Sequence, residues 1–311
     1  MLQDRRFQVA AELISFSDLT IHSIAEKVGY ENISYFYKKF AERYKMTPNE
    51  YRQYHQNSDM KDEEKRTLMQ NKLDHYWSER SDSYSKQNQK QLENEYREKW
   101  KKLILAHVPE KRDLKVLDIG TGPGFLAILL TECGYDVVAV DRNNQMLLKA
   151  KENARKYGVT VEFKKVGDEL PFCDNSFDLV ISRDVTWMLL QPEKIMQNWY
   201  QKVKPEGRLL YFDANWYGYL NDTEERKTYK QFRKFVKERN GFIYPKAREL
   251  EAMALKLPLT SEERPRWDIA YWRKNRVKKV SAITKLNADI YSEIEQLQYL
   301  KTPEFLVVVE K

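Results

Sequence analysis

The stretch VLDIGTGPGFLAILL, Val116–Leu130, constrains this chain more than any other. A short apolar run ends at Asp118-Ile119, and glycines follow at 120, 122 and 124. Glycine is required where a backbone must turn with positive φ or lie close against a ligand. A strand, a glycine turn and a helix whose first N–H groups are free form a ready cradle for a polar ligand. The dinucleotide fingerprint GxGxxG would need glycine at 125, where this chain has phenylalanine. The pattern is GxGxG instead, with an acidic residue two places before the first glycine.

Around that loop the chain alternates. KVLDIG, DVVAVD, VEFKKV, FDLVISRD and RLLYFDA are short runs rich in Val, Ile and Leu. Amphipathic stretches at about 124–133, 143–157 and 192–204 separate them. Such alternation predicts an α/β fold, a parallel sheet with helices on both faces. Helical stretches at about 67–80 and 88–107 precede it, residues 215–275 read as a helical, aromatic and charged insert, and strands at VKKVSAI and FLVVVEK close the chain.

With 311 residues there is room for two domains. Residues 1–56 repeat apolar positions at helical spacing: Phe7, Ala10, Ala11, Leu13 and Ile14, then Ile21, Ile24, Ala25 and Val28, then Phe36, Phe40 and Tyr44. SDLT and TPNE supply N-cap candidates, Pro48 suits a first turn, and Gly29 breaks two helices apart. This predicts a small all-α domain with a helix-turn-helix at about 20–45. Residues 57–66, NSDMKDEEKR, are polar and without apolar period and read as a linker to a domain over 67–311.

The composition is that of a soluble globular protein, with 41% hydrophobic and 32% charged residues. No run of eighteen apolar residues suggests a membrane span, and the N-terminus lacks a signal-peptide pattern. The two cysteines, Cys133 and Cys173, form no ligand cluster, so no metal site is expected, and a cytoplasmic setting fits. The net charge of +7 permits contact with nucleic acid or anionic substrates without demanding it.

Two resemblances attach to these residues. Ile24-Ala25, Val28-Gly29-Tyr30, Ser34-Tyr35-Phe36, Phe40, Pro48 and Tyr51-Arg52 resemble the second helix-turn-helix of AraC-type regulators, a family that normally carries two such units. The region about 70–215 resembles the class I S-adenosylmethionine-dependent methyltransferases. That implies a seven-stranded, Rossmann-like sheet, S-adenosylmethionine as cofactor, S-adenosylhomocysteine as its product, and a cap formed by the insert. Asp118, Gly120, Gly122 and Gly124 then line the cofactor, and Asp141, followed by Arg142, takes the ribose hydroxyls. In VGDELPF, Gly167, Asp168 and Glu169 edge the adenine, with Asp168 on its amino group. HYWSERSDSYSK resembles the helix that closes over the cofactor, with Tyr84 beside it. ISRD places Arg183 near the cofactor and Asp184 near the methyl group. In VKPEGRLLYFDANW, Glu206 stands where glycine is more usual.

The acceptor is narrowed by exclusion. SRDVTW replaces the (N/D/S)PP(Y/F) element of base-amino methyltransferases, a Pro-Cys nucleophile is missing, and no histidine follows His107. Asp184 and Asp213 remain as candidate bases or substrate anchors, with capping of strand ends as their structural alternative. The leading expectation is a methyltransferase acting on a small-molecule acceptor. The alternatives are a SAM-sensing or DNA-binding transcription regulator and a nucleic-acid methyltransferase. Residues 1–56 hold eight Lys/Arg against seven Asp/Glu. They are therefore expected not to read DNA specifically as a monomer, and to pack against the methyltransferase domain or a partner chain, as in a homodimer.

Overall fold

The computed structural model describes residues 2–16, 19–93, 95–239 and 244–311. Ser17 and Asp18 of the SDLT cap, and Phe242 of the aromatic insert, lie outside them. The chain divides into two units, residues 1–70 and 71–311.

The first unit holds α1 (Leu2–Phe16), α2 (Ile21–Lys27), α3 (Ile33–Tyr44) and the start of α4 (Pro48–Glu93). Thr20 caps α2 by accepting the Ser23 N–H, and Asn32 caps α3 by accepting the Tyr35 N–H. Between them Gly29 turns the chain at φ +83°. Phe36 and Phe40, one helical turn apart, are fully buried and pack on the Phe7 ring at 5.7 and 6.2 Å. Arg52 donates to the carbonyls of Ile14 and Leu19 at 3.2 and 2.6 Å, tying α4 to the end of α1.

Residues 57–66, expected as a linker, belong to α4. No glycine or proline occurs between Pro48 and Pro109 to stop a helix. Pairs three residues apart, Asp62 with Lys65 and Glu63 with Arg66, support the helix where it has no apolar face. The two helices expected at 67–80 and 88–107 are the later part of α4 and a separate α5 (Tyr96–Leu105).

The second unit then runs β1 (Lys115–Ile119), α6 (Phe125–Glu132), β2 (Asp136–Asp141), α7 (Asn144–Lys156), β3 (Glu162–Lys165), β4 (Phe177–Arg183), α8 (Pro192–Lys202) and β5 (Val203–Ala214). The insert carries α9 (Thr223–Lys237), α10 (Ala247–Ala254) and α11 (Arg266–Lys274). After it come β6 (Lys279–Thr284), α12 (Asn287–Ile290), α13 (Glu293–Gln298) and β7 (Glu304–Glu310). The seven strands order as β3-β2-β1-β4-β5-β7-β6. β7 is antiparallel to both neighbours and the other pairs are parallel. β1, β4 and the second half of β5 are largely apolar because both sheet faces are covered. Trp100 of α5 packs on one side with Phe125 and Phe212, and Trp199 of α8 with Trp272 of α11 on the other. Glu206, in the irregular start of β5, adopts φ +65°, which explains why glycine suits that position. Its carboxylate meets Lys278 Nζ at 2.7 Å.

The order reverses at β1, flanked by β2 and β4. In an open α/β sheet the crevice beyond the carboxyl ends of strands at such a point is where ligands bind.

Candidate active site

The glycine loop leaves β1 at this crevice. Gly120, Gly122 and Gly124 all have positive φ, at 68°, 53° and 90°. A Cβ on Gly120 would lie 2.3 Å from Val185 Cγ2, so only glycine fits. A Cβ on Gly122 would lie 3.5 Å from the Tyr84 ring, which places that tyrosine over the loop.

Asp141, at the end of β2, fastens the loop. Its Oδ2 accepts the Gly122 N–H at 2.8 Å and its Oδ1 the Asn143 N–H at 2.7 Å. Burial pushes its pKa up to about 6, against those two bonds, which lower it. Each oxygen keeps a further lone pair, as two vicinal hydroxyls would require. Asn143 caps α7 and donates to the Asp74 carbonyl and Ser78 Oγ, joining the loop's surroundings to α4. Asp118 is buried beneath the loop with neither carboxylate oxygen hydrogen-bonded, and burial pushes its pKa up to about 7. An orphaned carboxylate, a loop that tolerates no side chain and a half-occupied Asp141 fit a polar, hydroxyl-bearing cofactor.

The other expected contacts divide. Gly167, Asp168 and Glu169 are exposed beyond β3, and Asp168 Oδ1 holds Arg142 at 2.6 Å. Arg183 is buried with its guanidinium 4.3 and 4.7 Å from the Trp100 and Phe125 ring centroids. It donates to Gln91 and Tyr291 and lies 3.5 Å from Asp184 and 3.8 Å from Glu304. Asp184 sits at φ +59°, outside the regular strand, with Oδ2 3.4 Å from the Tyr84 hydroxyl and Oδ1 buried without a partner. Burial raises its pKa while Arg183 opposes the rise. Strained backbone of this kind concentrates at functional sites.

Asp213, expected beside Asp184 as a base, does not have that freedom. It is fully buried; Oδ2 accepts from the Thr186 hydroxyl, the Trp187 N–H and Arg264, and Oδ1 from the Ala214 N–H and the Trp216 indole. With five donors on one carboxylate no lone pair faces the crevice. Its place is structural: it fixes the segment after β4 to the end of β5.

Beyond Tyr84 and Asp184 opens a cavity of about 190 Å³. α4 supplies Trp77, the insert supplies Trp216 and Tyr229, and the segment between β6 and β7 supplies Tyr299. Tyr219 and Tyr229 stack at 3.7 Å, forming one wall. Trp267, Tyr271 and Trp272, on α11, pack in the sheet core instead. The sequence reading missed the contribution of Tyr291 and Tyr299. A signal was present: Ser292 and Glu295 form a capping box that starts α13.

Residues 117–211 match the methyltransferase domain family model, and residues 1–54 a helix-turn-helix domain model. The chain is 29% identical over 127 residues to glycine/sarcosine N-methyltransferase of Halorhodospira halochloris, covering 38% of this chain and 46% of that protein. It is 34% identical over 118 residues to the ubiquinone/menaquinone biosynthesis C-methyltransferase of Cronobacter sakazakii, covering 36% and 47%. The chain thus spans about half the length of these curated relatives. A solved candidate S-adenosyl-L-methionine-dependent methyltransferase from Methanococcus maripaludis shares the fold, with TM-score 0.51 at 15% identity over 75% of this chain and 93% of that one. By strand order, glycine loop and family match, residues 117–211 form a methyltransferase domain within a class I methyltransferase fold, and residues 1–54 match a helix-turn-helix domain.

Proposed function

We propose that the protein methylates a small-molecule acceptor held in the aromatic cavity beyond Asp184. The observation that carries this reading is the enclosure of that cavity between α4, the insert and the end of β4, next to the glycine loop. When bound, S-adenosylmethionine supplies an electrophilic methyl group on a sulfonium sulfur. The glycine loop and Asp141 would hold it, with Asp118 supporting the loop from beneath and Tyr84 covering it. The aromatic walls exclude water and align the acceptor, the main requirement of a displacement at carbon. Asp184 lines the cavity and its Oδ1 is buried without a partner; it is the acceptor atom left to take a hydrogen bond, or a proton where the acceptor must lose one. The N-methyltransferase and C-methyltransferase relatives act on small molecules by their names, which agrees with this reading.

The test is to incubate the full chain with S-adenosylmethionine carrying a labelled methyl group and a cell extract, then separate small molecules, protein and nucleic acid. Label in the small-molecule fraction is expected. Label confined to nucleic acid or protein would overturn the reading.

The intact helix-turn-helix favours a second reading, a regulator that senses S-adenosylmethionine. Turnover separates the two: a sensor binds the cofactor and yields no methylated product.

A further inference from the structure

We propose that Arg80 is an anion-binding residue of the acceptor pocket, so that the molecule methylated is a small acid with a carboxylate group. The proposal rests on the cavity being the acceptor site.

Charge around the cavity is the starting point. Three guanidinium groups line it, from Arg80, Arg183 and Arg233. Arg183 faces Asp184 and Glu304, and Arg233 meets Glu251 Oε1 at 2.5 Å. Arg80 differs. Among the described residues no carboxylate pairs with it, and its Nε is buried with no hydrogen-bond partner. Its guanidinium is surrounded by rings instead, 5.2 Å from the centroid of Trp77 and 5.3 Å from those of Tyr84 and Tyr244. Ring faces attract a cation but do not cancel its charge. Arg80 is partly buried and within electrostatic reach of Asp184 without forming an ion pair with it, and the planar fork of its guanidinium keeps donors that match a carboxylate.

Position and size point to the acceptor. Tyr84 faces the glycine loop, whereas Tyr244 belongs to the insert. Arg80, one helical turn before Tyr84, lies between them and is placed on the insert side of the cofactor loop. Lys246 pins the insert to α4 next to it, meeting Glu79 at 2.6 Å. The cavity of about 190 Å³ compares with the roughly 150 Å³ that accepts a benzene ring. A one-ring or short-chain acid fills such a space, its body among the aromatic walls and its carboxylate on Arg80.

The cofactor's amino-acid tail also carries a carboxylate, so the experiment separates the two sources. The full chain, loaded with S-adenosylhomocysteine, is titrated with benzoate and phenylacetate and with their uncharged amides, following fluorescence of the tryptophans lining the cavity. At least one acid is expected to bind about tenfold or more tightly than its amide, and Arg80→Met is expected to erase that preference. Arg80→Lys, which keeps the charge, is expected to retain part of it, and Arg80→Gln replaces Arg80→Met if the latter does not fold. Affinity for S-adenosylhomocysteine should change less than about threefold in Arg80→Met. Equal binding of acid and amide, or no binding of either acid, overturns the proposal. So does an Arg80→Met protein that loses S-adenosylhomocysteine affinity while its affinity for the decarboxylated analogue is intact, because Arg80 then serves the cofactor. Failure of the unaltered protein to bind S-adenosylhomocysteine at all would instead sink the methyltransferase reading beneath it.

Discussion

Asp141 Oδ2 accepts the backbone N–H of Gly122 at 2.8 Å, so the residue that ends β2 also holds the loop that follows β1. On the proposed reading, cofactor site and loop conformation share one carboxylate. Replacing it removes the ligand's partner and the loop's anchor together.

Asp141→Ala is expected to weaken S-adenosylhomocysteine binding by about 2–4 kcal/mol, on the order of thirtyfold to several hundredfold, through the loss of two charge-assisted hydrogen bonds. The same carboxylate sets a pH dependence. Its pKa, raised to about 6 by burial, means that acid converts it from acceptor to donor. Affinity should be level above about pH 7 and fall as pH drops through 6, since the ligand binds the ionised form. Calorimetry at several pH values measures both effects. Unchanged affinity in a folded Asp141→Ala protein would remove this residue from the cofactor site.

The sheet was legible because it is buried on both faces. Largely apolar runs such as Val116–Ile119 and Phe177–Ile181, each broken by one aspartate, leave little alternative to parallel strands, and Gly120, Gly122 and Gly124 mark the turn. The core of the first unit was legible for a similar reason, from Phe36 and Phe40 at helical spacing. What was not legible depends on distant partners. Asp184, just after β4, and Asp213, near the end of β5, look equivalent in sequence. Arg264, fifty-one positions from Asp213, helps saturate that carboxylate, whereas Asp184 keeps one oxygen without a partner. Residues 57–66 carry no apolar pattern, so their helix rests on the absence of breakers and on local ion pairs. Tyr291 and Tyr299 reach the cavity only because β7 inserts between β5 and β6.

Arg264 is buried between Asp213 and Asp268, 3.1 Å from the first and 2.7 Å from the second. It also donates to the Thr186 hydroxyl, while Tyr211 donates to Asp268. Arg264→Met removes the cation and leaves two buried carboxylates without their counter-charge. The expected loss is about 3–5 kcal/mol, seen as a large drop in Tm by calorimetry. Adding Asp268→Asn should restore part of it, since one uncompensated charge disappears. A single variant as stable as the parent would show that the network is not needed for the fold.

Glu206 offers a change in the opposite direction. Its φ of +65° is uncomfortable for a side chain bearing a Cβ, and its ion pair with Lys278 is exposed. Glu206→Gly is expected to stabilise the protein by roughly 0.5–1 kcal/mol, because relief of the backbone exceeds the small worth of a surface pair. Denaturant unfolding should show a higher midpoint with an unchanged slope. A lower midpoint would mean that the Lys278 contact outweighs the strain.

The helix-turn-helix gives the last prediction, which concerns DNA. α3 is the element that would enter a major groove. Its front edge offers Asn32, Ser34, Tyr35 and Tyr37 as polar groups. Asn32 Oδ1 is already committed, accepting the Tyr35 N–H as the helix cap, and the Tyr37 hydroxyl accepts from Asn49. Lys39, a cation on α3, pairs with Glu42 at 2.6 Å on an exposed surface. Residues 1–56 carry a net charge of only +1, and sequence-independent affinity for DNA grows with the number of phosphates neutralised. A single reading helix of this kind gains its affinity from a second unit or a symmetric copy. The full chain as a monomer is therefore expected to bind duplex DNA weakly, in the range of about 10⁻⁴–10⁻⁶ M at physiological salt, with little preference for sequence. Fluorescence anisotropy with several duplexes, at two salt concentrations and with or without S-adenosylmethionine, measures this directly. A nanomolar complex on one sequence would reverse the order of the two functional readings, and dependence of that complex on S-adenosylmethionine would make the methyltransferase fold its sensor.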